Sequence, residues 1–274
     1  NQGTIENGKY TAHGDLTYTD TAEASLKDGT LISEEGKAKI TAHGVLQIKK
    51  LSAKDNATVE ADHDVTLNEA EAGMLAISSG GSVNAGTLTA TTGDAKVTAK
   101  TDATIGTLKA EVGSATVKAT EGKLDVTTLN AKEHAALTSG SAMEVTEVTA
   151  GTLAAESTAG SVKAGTLTAK TGEASVTAKT DATIGTLKAE VGSATVKATE
   201  GKLDVTTLNA KKHAELTSGG AMEVTEATVG TLVAESTAGS VNAGTLTAKT
   251  GDAKVTTKKD VPIGTLTAEA GGAT

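Results

Sequence analysis

Five histidines and a set of recurring carboxylates are the residues here whose types could do chemistry. His13 and His43 lie in matching Thr-Ala-His-Gly strings, and His63 stands between Asp62 and Asp64. The spacing from His43 to His63 matches one turn of a short stacked repeat, which would place the two on adjacent corners. Imidazole with carboxylate is a ligand set for a divalent metal. Polar corners use the same residue types without any ligand, and no metal ligand is assigned on this basis. His134 and His213 copy each other across a longer repeat, but Glu133 beside the first becomes Lys212 beside the second. A metal site does not pass through that charge reversal without cost.

Asp102, Asp181 and Asp260 recur at the same long step. Four turns of a stacked repeat separate each pair, roughly 19 Å at the strand-pairing distance. Paired carboxylates of glycoside hydrolysis stand about 5–10 Å apart. A polysaccharide lyase or hydrolase is the enzyme alternative, and it lacks its acid pair, its aromatic sugar platforms and its long loops. The chain is therefore expected not to be an enzyme, with no catalytic residue, no cofactor-binding residue and no cofactor. Gly80-Gly81 and Gly219-Gly220 lack the Lys-Ser/Thr of a phosphate loop. Thr87-Leu88-Thr89, Thr166-Leu167-Thr168 and Thr245-Leu246-Thr247 look like rows of an ice-binding face, but Thr107-Leu108-Lys109 and Thr128-Leu129-Asn130 break the array. The basic doublets Lys49-Lys50, Lys211-Lys212 and Lys258-Lys259 are far apart in the chain, which argues against strong heparin binding, and the interspersed charges make no basic stripe for nucleic acid.

The elements that must position these residues are repeats. Val97–Lys132 returns without a change as Val176–Lys211, and Gly81–Leu88 returns at Gly239–Leu246 and, with Lys163 for Asn84, at Gly160–Leu167. Inside this 79-residue unit runs a beat of about 20 residues. Apolar residues alternate in short runs: Val83-x-Ala85, Leu88-x-Ala90, Ala95-x-Val97-x-Ala99, then Ala103-x-Ile105, Leu108-x-Ala110, Ala115-x-Val117-x-Ala119. Period two puts every second side chain on one face of a strand, and the runs are too short for helices. Pairs such as Gly86-Thr87 and Thr127-Thr128 reverse the alternation as a corner would.

The fold class read from this is all-β: a right-handed parallel β-helix (β-solenoid). Each coil has about 20 residues and three short strands. Leu88, Leu108, Leu129 and Val148 are expected in one internal ladder. The whole of 1–274 reads as a single β-solenoid. Residues 1–80 are less regular coils; 81–159, 160–238 and 239–274 are copies of a four-coil unit, the last partial. Before residue 38 the beat is blurred, although Leu16-x-Tyr18 and Ala24-x-Leu26 keep it. At Val261-Pro262-Ile263 the third copy departs from Ala103-Thr104-Ile105, and proline there is expected to remove one hydrogen bond between coils.

Composition agrees. The chain has no Phe, Trp, Cys or Arg, only Tyr10 and Tyr18 as aromatics, and 31 glycines. Its core must be thin and built from Ala, Val, Leu and Ile. Charges are interspersed, with a net charge of −9, and no apolar run reaches the ~20 residues of a membrane span. Asn1-Gln2-Gly3 is neither a signal peptide nor a start methionine, so the chain reads as part of something longer.

The strings Gly81–Ala90, Gly160–Ala169 and Gly239–Ala248, of pattern G-x-V-x-A-G-T-L-x-A, resemble the filamentous haemagglutinin family of large bacterial exoproteins. The resemblance covers nearly the whole chain, most clearly from residue 81. It implies a shaft exported by an outer-membrane two-partner-secretion transporter, displayed at the bacterial cell surface and projecting a distal domain. It also implies a host cell-surface receptor or glycan as partner, with no nucleic acid and no membrane insertion. The family's secretion domain is absent from these residues, and without Arg there is no Arg-Gly-Asp motif. The stalk of a contact-dependent growth-inhibition toxin, or a solenoid face that binds host glycan or protein directly, are the alternative readings.

Overall fold

The structure, a computed structural model, describes residues 5–6, 8–20 and 26–274. Ala24, which was expected to carry the alternation into Leu26, lies outside the described residues, as do Asn1, Gln2 and Gly3. Among the described residues the chain is an all-β parallel solenoid of about 13 turns, about 20 residues apart, with no helix. It forms two compact units, Asn1–Leu137 and Thr138–Thr274.

In the first unit each turn from Leu26 onward supplies an eight-residue strand and a shorter one. The long strands Leu46–Ala53, Val65–Ala72, Val83–Ala90, Ala103–Ala110 and Leu124–Ala131 pair in parallel, each with the next. The short strands Ala38–Ala42, Asn56–Ala61, Met74–Ser79, Ala95–Ala99 and Ala115–Ala119 do the same. Leu88 faces Leu108, and Leu108 faces Leu129, as the alternation predicts. All three are wholly buried. Outward positions pair unlike residues, Lys96 with Thr116 and Thr98 with Lys118.

The long strand is not uniform. In Val83–Ala90 the inward residues are Val83, Ala85, Leu88 and Ala90, and two consecutive positions, Gly86 and Thr87, face out. The pairing skips Gly86, Gly106 and Thr127. Alternation thus changes phase inside a continuous strand, at the residues expected to form a corner. The blurred beat before residue 38 also has a local cause. Register shifts around Gly29, and Asp28 takes a left-handed φ of 53°, a conformation that aspartate tolerates better than most residues.

In the second unit, strands start at Val162, Ala182, Leu203, Met222 and Val241, each paired to the next. The turns between these starts are unequal. The step from Ala182 to Leu203 is the longest, and the two that follow, to Met222 and to Val241, are the shortest. Together the four steps make up the long unit. Each turn has two corners of variable length, and their sum accounts for the differences; the corner after the long strand varies most. Between the last inward residue of the long strand and the first of the short one lie four residues at Glu190–Ser193, three at Lys211–His213 and two at Gly230–Thr231. The next turn returns to four, at Lys249–Asp252. At two of the short corners the two strands merge, as Leu203–Ser218 and Met222–Ser236. In the third copy the long strand begins late, at Ile263, yet the carbonyl of Pro262 still accepts the Ala243 N–H at 2.9 Å.

The core is one side chain thick. Burying a Leu or Val fully is worth about 1.5–3 kcal/mol, and each turn can realise this only against its neighbours. Leu187 and Leu208 face each other in successive turns and are wholly buried.

Candidate functional site

Two of the three recurring aspartates are structural. Asp102 Oδ1 accepts the backbone N–H of Lys123 at 2.7 Å, and Asp181 Oδ1 accepts that of Lys202 at 2.7 Å. Asp15, Asp64, Asp94 and Asp252 do the same for Lys37, Ser82, Ser114 and Gly272 on the following turn. Each donor directly follows a glycine. At Gly122 a Cβ would stand 2.3 Å from Asp102 Oδ1, so glycine is what lets the carboxylate in. These carboxylates cap corner N–H groups that no strand partner satisfies, as an N-cap does for a helix. Asp102→Ala is expected to cost about 1 kcal/mol in urea unfolding, with Asp102→Asn retaining most of it. Asp260, the third copy, is exposed, and its carbonyl accepts the Val241 N–H at 3.1 Å.

His13, His43 and His213 are similarly occupied. His43 Nδ1 lies 2.5 Å from Asp62 Oδ2, an exposed pair on adjacent turns. The two carboxylates beside His63 have different tasks: Asp62 meets His43, while Asp64 caps Ser82. His13 lies 3.4 Å from Glu34, and His213 Nδ1 lies 2.7 Å from Thr231 Oγ1. Among the described residues no three His, Asp or Glu side chains come together to hold a metal ion. Tyr10 and Tyr18 meet at 6.2 Å between ring centroids; burial, then Asp20 and Tyr10, push the Tyr18 phenol upward in pKa.

A set of buried serines escaped the sequence reading. Ser79, Ser139, Ser157, Ser218 and Ser236 occupy inward positions that hold alanine in neighbouring turns, such as Ala178 and Ala198. In the second unit Ser218 Oγ and Ser236 Oγ both donate to the Gly220 carbonyl, at 2.8 and 2.7 Å. Ser139 and Ser157 converge likewise on the Ser141 carbonyl. The Gly-Gly string at 219–220 is thus an acceptor corner for two turns. The signal was present: serine at an alanine position of the alternation, followed by glycine at Ser79, Ser139 and Ser218.

One concavity of the second unit is left without a structural task. It is a cavity of about 300 Å³ on the corners that follow the long strands. The corners around it differ in length, and the shortest of them is at Gly230-Thr231. A Cβ at Gly230 would come within 2.3 Å of the Lys212 carbonyl, so glycine is what permits the two-residue corner here. Lys211 precedes Gly230 by one turn and Lys249 follows it by one. Ala189, Ala210 and Val229 line its apolar side, and Asn209, Thr228 and Thr250 bring polar groups.

No protein family, curated protein or solved structure matches the chain.

The charges around the notch are unequal in their pairing. Lys188 binds Glu190 at 2.8 Å, and Lys249 binds Glu269. The hydrogen bond and charge of Lys188, with Lys170 nearby, hold the Glu190 carboxyl below its usual range. Lys211 has no ion-pair partner among the described residues, so one cationic charge in the concavity is left uncompensated. The doublet Lys211-Lys212 was visible in sequence. That it borders a notch was not: counting residues between successive inward positions gives two-residue corners at Gly73-Met74, Gly151-Thr152 and Gly230-Thr231 alike. The other doublets differ: Lys50 pairs with Glu69 at 3.0 Å, and Lys258-Lys259 is exposed.

Proposed function

We propose that this chain is a structural shaft segment of a large secreted bacterial surface adhesin of the filamentous haemagglutinin type, projecting a distal binding domain from the cell. The observation that carries the reading is the turn-to-turn use of its polar residues. Asp102, Asp181, Ser218, Ser236 and Gly220 join one turn to the next, and the duplicated unit adds length while repeating these joints. In this reading each coil is three-sided and wound right-handed. The phase change at Gly86–Thr87 makes two sides of the long strand, and right-handed crossovers between parallel strands are the rule. Export follows through an outer-membrane two-partner-secretion transporter, and recognition of a host receptor or glycan belongs to the distal domain.

The test is an in-frame deletion of residues 160–238 within the parent protein. That removes four turns, roughly 19 Å at the strand-pairing distance, and joins corners of matching length. Producing cells should export the shortened protein and adhere as before in a cell-binding assay. Loss of adhesion with export and folding intact would overturn the shaft reading.

A further inference from the structure

We propose that the notch over Gly230 binds an acidic monosaccharide, a hexose-sized ring bearing one carboxylate. The argument begins with charge. Of the lysines at the notch, Lys188 and Lys249 already have carboxylate partners, and Lys211 does not. One uncompensated ammonium in a concavity matches one negative charge on the ligand. Lysine is a point charge on a flexible stem. Lys211 stands one turn before a residue with no side chain, leaving its ammonium free to meet an anionic group seated over it, while Lys249, one turn beyond, is held by Glu269 and adds charge at longer range. A phosphate monoester, at about −1.5 to −2 near neutrality, exceeds what the site leaves uncompensated.

Size and lining argue for a ring rather than a bare anion. About 300 Å³ is at the lower end of the range for small-ligand sites and far larger than one carboxylate needs. Asn209, Thr228 and Thr250 supply amide and hydroxyl groups of both donor and acceptor character around the charge. Ala189, Ala210 and Val229 lie buried beneath the notch, so the lysine stems supply the apolar surface on which the C–H face of a sugar rests. The chain as a whole carries −9, so this concavity runs against its average charge, and the attraction is local and weakened by salt.

This inference does not rest on the shaft reading, since the notch belongs to the folded chain whatever it is attached to. Isothermal titration of the full chain with sodium glucuronate at low salt tests it, with glucose and sodium sulfate as separate titrants. Glucuronate should bind with Kd on the order of 1 mM, and glucose at least about tenfold more weakly. Replacing Lys211→Gln together with Lys249→Gln should weaken glucuronate about tenfold or more, while the circular-dichroism melting curve stays in place. Three results overturn the proposal: no heat with glucuronate, glucose binding as well as glucuronate, or the double variant binding unchanged. Sulfate binding as tightly as glucuronate overturns the assignment to a sugar, leaving a bare anion site. If the double variant fails to fold, Lys211→Gln alone, at the unpaired lysine, must still produce the weakening.

Discussion

Leu208→Ala is expected to destabilise the second unit by about 3 kcal/mol, within the ~2–5 kcal/mol range for buried leucine truncation. Leu208 is wholly buried, stacked between Leu187 on one turn and Ala227 on the next. The site is poorly able to collapse after truncation. Its neighbours above and below are fixed by backbone pairing on both sides, and Ala227 is already small. The cavity therefore persists, and its cost adds to the lost transfer energy. The outward neighbour gives the contrast: Thr207→Ala, between Thr186 and Glu226, should change stability by less than about 0.5 kcal/mol. Leu266→Ala, at a part-exposed position, should cost clearly less than Leu208→Ala. Denaturant unfolding of the three variants measures this, and equal effects for Leu208 and Thr207 would show that the inward ladder is not the stabilising element.

Ser236→Ala should cost about 2 kcal/mol, a large effect for removing a single oxygen. Ser236 is buried; its hydroxyl donates to the Gly220 carbonyl at 2.7 Å and accepts the Gly239 N–H at 3.0 Å. Alanine would leave the Gly239 donor without this partner, and an unsatisfied buried group costs about 1–3 kcal/mol. The Gly220 carbonyl would keep Ser218 as a donor, which bounds the loss. Ser175→Ala, at a half-exposed outward position, is the control and should lie within about 0.5 kcal/mol of the parent. Urea titration separates the two. A Ser236 variant as stable as the control would mean that the corner recruits another donor or water.

The inward residues were legible because period-two alternation is a local code. Val97, Ile105, Leu108 and Val117 fall on one face whatever the rest of the chain does, and all are buried. The change of phase at Gly86–Thr87 was legible for the same reason. The corner polar groups were not. Asp102 looks the same in sequence whether it is an acid, a ligand or a cap. Its partner, the Lys123 N–H, lies on the following turn, so its role is fixed only when two turns are stacked. His43 and Asp62 likewise meet across one turn, which turns half of a suggested metal set into an exposed pair.

By itself, then, the sequence determined the repeat, its parallel β character and the identity of the core, because apolar burial is chosen residue by residue. Tertiary structure alone decided what the polar residues do. Stacking brought Asp102 to a backbone N–H, closed buried serines on shared carbonyls, and set a two-residue corner between longer ones, where Lys211 borders a notch at Gly230. Each of these outcomes depends on the register between turns, which is set by small differences in corner length along the chain.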